Sequence, residues 1–105
     1  MAQFLYTLKV TRPEMLVDGG TPSEQDTVSR HFARLDRLAS AGKVLLAGRT
    51  QNTDPSSFGI VIFEATNGVE AQQFVDEDPA VVESVMTAEL FPYRVAAVSD
   101  HLSVG

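Results

Sequence analysis

The chain contains no cysteine, which excludes disulfide staples, thiolate nucleophiles and the usual structural zinc sites. It also lacks any apolar run near the roughly 18 to 20 residues that a membrane-spanning helix needs, and its N-terminus shows no basic stretch followed by an apolar one. A cytoplasmic location with no membrane partner is the expectation. Basic residues are scarce: eight Lys and Arg stand against fourteen Asp and Glu, a formal charge of -6. They form no cluster, so neither nucleic-acid phosphates nor an anionic bilayer would find an electrostatic footprint. A small molecule or another protein is the better partner. Gly19 and Gly20 do not sit in a dinucleotide-binding pattern, and no serine has a nucleophile-elbow context. The two histidines, His31 and His101, lie far apart in the sequence, so neither a metal site nor a cofactor is expected.

What is present suits one folded domain covering residues 1–105. Apolar residues make up 44% and charged residues 21%, a composition that buries a core and does not stay disordered. Phe4 to Val10 alternates, with Phe4, Tyr6, Leu8 and Val10 on one face, as a half-buried strand does. Thr11 to Gly20 carries Pro13, Asp18, Gly19 and Gly20 and reads as a loop. Thr21, Pro22 and Glu24 then supply a capping hydroxyl, a first-turn proline and the glutamate of a capping box. They predict a helix from about Pro22 to Ala41, closed by Gly42, with Val28, Phe32, Leu35 and Ala39 forming its apolar stripe.

Val44 to Thr50 and Phe58 to Ala65 are apolar runs separated by a turn-rich segment, and they predict an antiparallel hairpin. In the second run Ile60 and Ile62 fall on one face, Val61 and Phe63 on the other, so both faces need cover. Asn67 can cap a second helix through Val75 that ends by Asp78, and Pro79 can open another turn through Val82. Phe91 to Val98 is expected to be the last strand, at an edge or a bulge because of Pro92. The order β-α-β-β-α-β predicts an α+β, ferredoxin-like fold: a four-stranded antiparallel sheet with the helices on one face. The other face would be bare in a monomer, which points to a homodimer through the sheet face.

His31 is the most informative residue. On a helical wheel of about 100° per residue it falls inside the apolar stripe, between Leu35 and Leu38. An imidazole there must find a hydrogen-bond partner or cost roughly 1 to 3 kcal/mol. A satisfied core histidine and a catalytic or ligand-binding one fit this pattern equally. Asp78, before Pro79, is an ordinary helix cap by position. A capping carboxylate nevertheless keeps lone pairs with which to orient an imidazole, and the two would then make a general acid or base. Arg34 flanks the stripe near His31 and can fork onto a carboxylate or enolate, although a solvated helix face is the favoured reading of it. Arg49 follows Gly48 at a strand end, where it can meet an anionic ligand or form a surface ion pair.

The run Arg30-His31-Phe32-Ala33-Arg34-Leu35, then Gly42, Leu45, Ala47 and Gly48, then Phe74, Asp76, Asp78 and Pro79, and finally Phe91, resembles the YciI-like (YCII-related) family over nearly the whole chain. The resemblance implies a dimeric α/β-barrel-type assembly of ferredoxin-like units, a pocket near the dimer interface and an active centre of His31 and Asp78. One relative is a dehydrochlorinase of a chlorinated hydroxyquinol, and the fold is shared with muconolactone isomerases. Proton abstraction, elimination or isomerisation on a small oxygenated ring or lactone is the reaction class implied. The sequence departs from the family pattern at Arg49, often proline, at Ala80, often aromatic, and at Val28, often arginine, so its pocket has its own shape. The loop from Thr11 to Thr21 also looks longer than in the smallest members and is a candidate lid.

Two other readings stand beside the enzyme. The same pocket would serve a non-catalytic dimeric module that binds a small ligand or a protein, and a plain core histidine with a plain cap would need no pocket.

Overall fold

In the computed structural model, which describes residues 1–104, Phe4, Tyr6 and Leu8 are buried along one side of strand β1 (Ala2–Val10), the side that the alternation predicts. A single-turn helix α1 (Met15–Asp18) interrupts the following loop, and the long helix α2 (Pro22–Ser40) comes next. Strands β2 (Val44–Arg49) and β3 (Gly59–Ala65) form the hairpin. Helix α3 (Gly68–Asp76), the single turn α4 (Pro79–Val82) and strand β4 (Met86–Tyr93) complete the fold. The sheet is four-stranded in the order β2-β3-β1-β4, with antiparallel pairing throughout. This is the ferredoxin-like α+β arrangement that the element order predicts.

Local chemistry explains the helix boundaries. The Thr21 hydroxyl accepts from the Glu24 amide at 3.1 Å, and the Glu24 side chain accepts from the Thr21 amide at 2.8 Å, so the capping box is complete. At the far end Gly42 adopts φ 82°, a left-handed conformation in which it stops the helix without a Cβ clash. Asn67 caps α3 by accepting from the Glu70 amide. The core lies between the sheet and α2 and α3. It is dominated by Tyr6, Phe63 and Phe74, with the Phe63 and Phe74 rings stacked at 4.4 Å and Tyr6 edge-on to both.

Three expectations are corrected. The last strand spans Met86–Tyr93, not Phe91 to Val98. Register decides its position: Val10 pairs with Met86 and Gln3 with Tyr93, so β1 has almost no residues left to pair beyond Tyr93. The alternation of Met86, Ala88 and Leu90 toward the core, interrupted by Thr87 and Glu89, is a weaker local signal than the apolar run after it.

The buried stripe of α2 is Thr27, His31 and Leu35, with Leu38 packed against the core, whereas Phe32 and Ala39 are exposed. The helix is turned so that His31 lies at the centre of its buried face and Phe32 at the flank. The second sheet face is also not bare. Ile62 lies on it yet is buried, because the tail after β4 crosses one end of that face: the Val95 amide donates to Gln3 Oε1 at 2.7 Å, and Val98 and Leu102 face Leu45, Leu46 and Ile62 across a groove. Among the described residues no helix is long and apolar enough to cross a membrane.

Candidate active site

α2 places His31 against the start of α4. Proline at position 79 prevents α3 from continuing, so the chain turns at Asp78 with an extended backbone and starts α4. The Asp78 carboxylate caps that turn, its Oδ1 accepting from the Ala80 amide at 2.9 Å. The same carboxylate faces His31: Nδ1 lies 2.7 Å from Oδ1 and 2.9 Å from Oδ2. Cap and partner are thus one residue, and the two roles weighed for Asp78 coexist. His31 is 3% exposed and Asp78 is wholly enclosed.

A third donor comes from the sheet. The Tyr6 hydroxyl, fully buried on β1, donates to Asp78 Oδ2 at 2.7 Å. Burial alone would raise the Asp78 pKa, but hydrogen bonds and charge from His31, then the bonds from Tyr6 and Ala80, outweigh it and hold the carboxyl below its ordinary range. Asp78 is therefore ionised at neutral pH and only accepts. Burial, followed by the adjacent Asp78 charge, pushes the Tyr6 phenol well above its ordinary value, so it keeps its proton and donates. An ionised acceptor at Nδ1 fixes the proton of a neutral His31 on that nitrogen and leaves the lone pair on Nε2. Nε2 has no hydrogen-bond partner among the described residues and is not sealed from solvent.

His31 forms part of the wall of a cavity of about 350 Å³ between α2, the sheet and the loop before α2. Leu8, Leu35, Val61 and Met86 supply apolar lining, and Phe32 stands edge-on to the His31 ring at 5.1 Å. Phe58, 41% exposed, lies at the rim. Polar groups enter from the hairpin: Arg49, Asn52, Thr53 and Ser57. The loop before α2 closes another side through Met15, Leu16 and Gly19, and Arg12 holds it there with ion pairs to Glu24 at 2.7 Å and Asp18 at 3.5 Å.

The two arginines singled out from the sequence separate. Register puts Arg49 opposite Gly59, which pairs along the row that includes Leu8, so Arg49 shares the helix-covered face and reaches the cavity, with no ion pair to any described residue. Arg34 does not line the cavity. It turns to the far side of the dyad, donates to the Phe74 carbonyl at 2.7 Å and lies over the Phe74 ring at 4.3 Å. Its Nη1 is 3.8 Å from Asp78 Oδ2 and is buried without a hydrogen bond. Arg34, expected beside a substrate, is thus placed away from the cavity lining, with its planar guanidinium held over the ring of Phe74.

Sequence reasoning overlooked Tyr6. Its signal was a hydroxyl among inward-facing positions of β1, since a buried phenol needs a partner. No three His, Asp or Glu side chains among the described residues converge as metal ligands would.

A family model described as the YCII-related domain matches residues 4–93. No curated protein matches the chain significantly in sequence. Among solved structures, the chain is similar to 5-chloro-2-hydroxyhydroquinone dehydrochlorinase (TftG) from Burkholderia phenoliruptrix AC1100 in complex with 2,5-dihydroxybenzoquinone. Identity is 24%, the match covers 88% of this chain and 93% of that one, and the TM-score is 0.64.

Proposed function

The chain belongs to the YCII-related domain family, and on that premise we propose that it is an acid–base enzyme acting by proton transfer on a small oxygenated ring or lactone. One observation carries the reading: His31 borders a cavity while its Nδ1 is locked onto a buried, ionised carboxylate. That arrangement leaves Nε2 as the group that takes a proton and Asp78 as the partner of the imidazolium that forms. A cavity of about 350 Å³ suits one substituted ring.

The chemistry balances without any further reactant. Nε2 takes a proton from a ring carbon or hydroxyl, and the electron pair moves toward an oxygen that becomes anionic. Arg49, the cation lining the cavity, stabilises that oxygen. In an elimination the charge then expels the leaving group from the ring as an anion, and the His31 imidazolium gives its proton up to solvent; in an isomerisation His31 returns the proton at another atom. The likeness to a dehydrochlorinase solved with a dihydroxybenzoquinone supports a small oxygenated ring as the substrate. We also read the uncovered part of the second sheet face as the site where two copies pair.

The test is turnover of small hydroxyquinols, phenols, lactones and enolisable acids by the wild type and by His31→Gln, with circular dichroism to verify folding. Loss of rate with the fold intact supports the enzyme. A variant that binds the same compounds as well as the wild type, with neither protein turning them over, supports the non-catalytic module.

A further inference from the structure

Beyond the His31–Asp78 pair and the Ala80 amide that Asp78 caps, the dyad holds one hydrogen bond made, that from Tyr6, and one unmade, that from Arg34. Both point at Asp78 Oδ2: the Tyr6 hydroxyl is 2.7 Å away and Arg34 Nη1 is 3.8 Å away. We propose that Tyr6 is a positioning residue that keeps the Asp78 carboxylate on His31 by holding Oδ2 away from the Arg34 guanidinium. This inference rests on the proton-transfer reading of the site.

Two side chains compete for one oxygen. An ionised carboxylate offers about four acceptor sites. Oδ1 takes the Ala80 amide and His31 Nδ1, and Oδ2 takes Tyr6 with a second approach from His31. Arg34 is the stronger attractor by charge, and a forked pair between a guanidinium and a carboxylate is among the strongest polar contacts proteins make. Its side chain is 12% exposed and its Nη1 is a buried donor without an acceptor, a state that favours any movement toward one.

Only about 1 Å of movement separates Arg34 Nη1 from a hydrogen bond to Oδ2, judged against the usual 2.7–2.9 Å for a charged pair. The Tyr6 hydroxyl occupies the lone pair toward which that movement would go. Tyr6 itself cannot yield easily, because its ring packs edge-on against both Phe63 and Phe74 at 5.7 and 6.3 Å. The Phe74 ring and carbonyl in turn keep Arg34 from advancing. Removing the hydroxyl alone would free Oδ2, let the carboxylate rotate toward Arg34 and draw it off Nδ1.

The experiment compares the wild type, Tyr6→Phe and the double variant Tyr6→Phe with Arg34→Gln by two readouts. One is the downfield proton resonance of His31 Nδ1–H; the other is kcat and KM on a substrate found by the turnover screen. The expected result for Tyr6→Phe is loss of the resonance and a fall in kcat of about tenfold with little change in KM. In the double variant the competing cation is gone, so the resonance and most of the rate return.

A purely structural tyrosine would predict the opposite, since two core changes in contact would weaken the protein further. Retention of either readout in Tyr6→Phe, or no recovery in the double variant, overturns the proposal. If Tyr6→Phe does not fold, 3-fluorotyrosine in a Tyr93→Phe background labels Tyr6 alone, the chain having two tyrosines. The stronger donor must then shift the Nδ1 proton, and an unmoved resonance overturns the proposal. If the wild type itself turns nothing over, the enzyme reading fails, and the resonance alone decides whether Tyr6 and Arg34 compete.

Discussion

Thr27 Oγ1 donates to Glu83 at 2.8 Å, one helical turn before His31 on α2 and at the opposite end of α4 from Asp78. Arg30 adds two further bonds to the same Glu83 carboxylate. The short α4 turn is thus fastened to α2 at both ends, by Asp78 to His31 and by Glu83 to Thr27 and Arg30. A single turn has little stability of its own, so these side chains index the two carboxylates against the helix.

That relationship predicts an acid sensitivity. Hydrogen bonds from Arg30, then from Thr27, hold the Glu83 carboxyl down to about 2, below its ordinary value. A group depressed in the folded state stabilises above its unfolded pKa, and the benefit disappears as pH falls through the folded one. Wild-type urea midpoints should therefore drop between about pH 4.5 and 2, and those of Glu83→Gln should drop less across the same window. Equal slopes for both proteins would show that the clamp is not what fails in acid.

Asp78→Asn separates cap from partner. Asparagine caps a helix about as well as aspartate, but it is neutral and can turn its amide N–H toward His31 Nδ1, which selects the other tautomer. Turnover should fall by on the order of a hundredfold or more, while stability falls by roughly 1 to 3 kcal/mol because a buried network loses its charge. Steady-state kinetics and urea unfolding on one preparation read both effects; full activity would mean that Asp78 is only a cap.

Arg49→Gln should lower kcat by roughly ten- to a hundredfold with a smaller change in KM, the worth of one charge-assisted hydrogen bond to a developing oxyanion at roughly 1.5 to 3 kcal/mol. Its stability should change by less than about 0.5 kcal/mol, since the side chain is exposed and has no ion pair. An unchanged kcat/KM would remove Arg49 from the site.

Ser84→Gly should stabilise the protein. Ser84 has φ 59° just after α4, the one non-glycine residue in the left-handed region among those described. Relief of the Cβ clash is worth about 1 to 2 kcal/mol and the added backbone entropy of glycine takes back about half of it. A gain of a few tenths to about 1 kcal/mol in chemical unfolding is expected; a loss would mean that the serine side chain holds the turn.

Phe91→Glu tests pairing of two copies through the second sheet face. Phe91 is 44% exposed and pairs with Leu5 in the row that includes Ile62. Sedimentation should find a dimer for the wild type and a monomer for the variant, with thermal unfolding little changed. A monomeric wild type would retire the dimer.

The element order, the capping box, the breaker at Pro79 and the alternation of Phe4, Tyr6 and Leu8 are local signals, because each depends on residues within one or two turns or along one strand. They suffice to determine an α+β sheet with its helices on one face, and they set His31 on the buried side of α2. Tertiary structure decided the features that depend on distant contacts. Pairing with the full length of β1 moved the last strand to Met86–Tyr93. Packing of α2 turned Phe32 to the cavity's edge, and the Phe74 ring drew Arg34 to the far side of Asp78. The meeting of Tyr6, His31 and Asp78 joins residues 72 and 47 positions apart. No spacing rule reaches so far: separations of that size are closed only by the sheet register and by the clamp that seats α4 on α2.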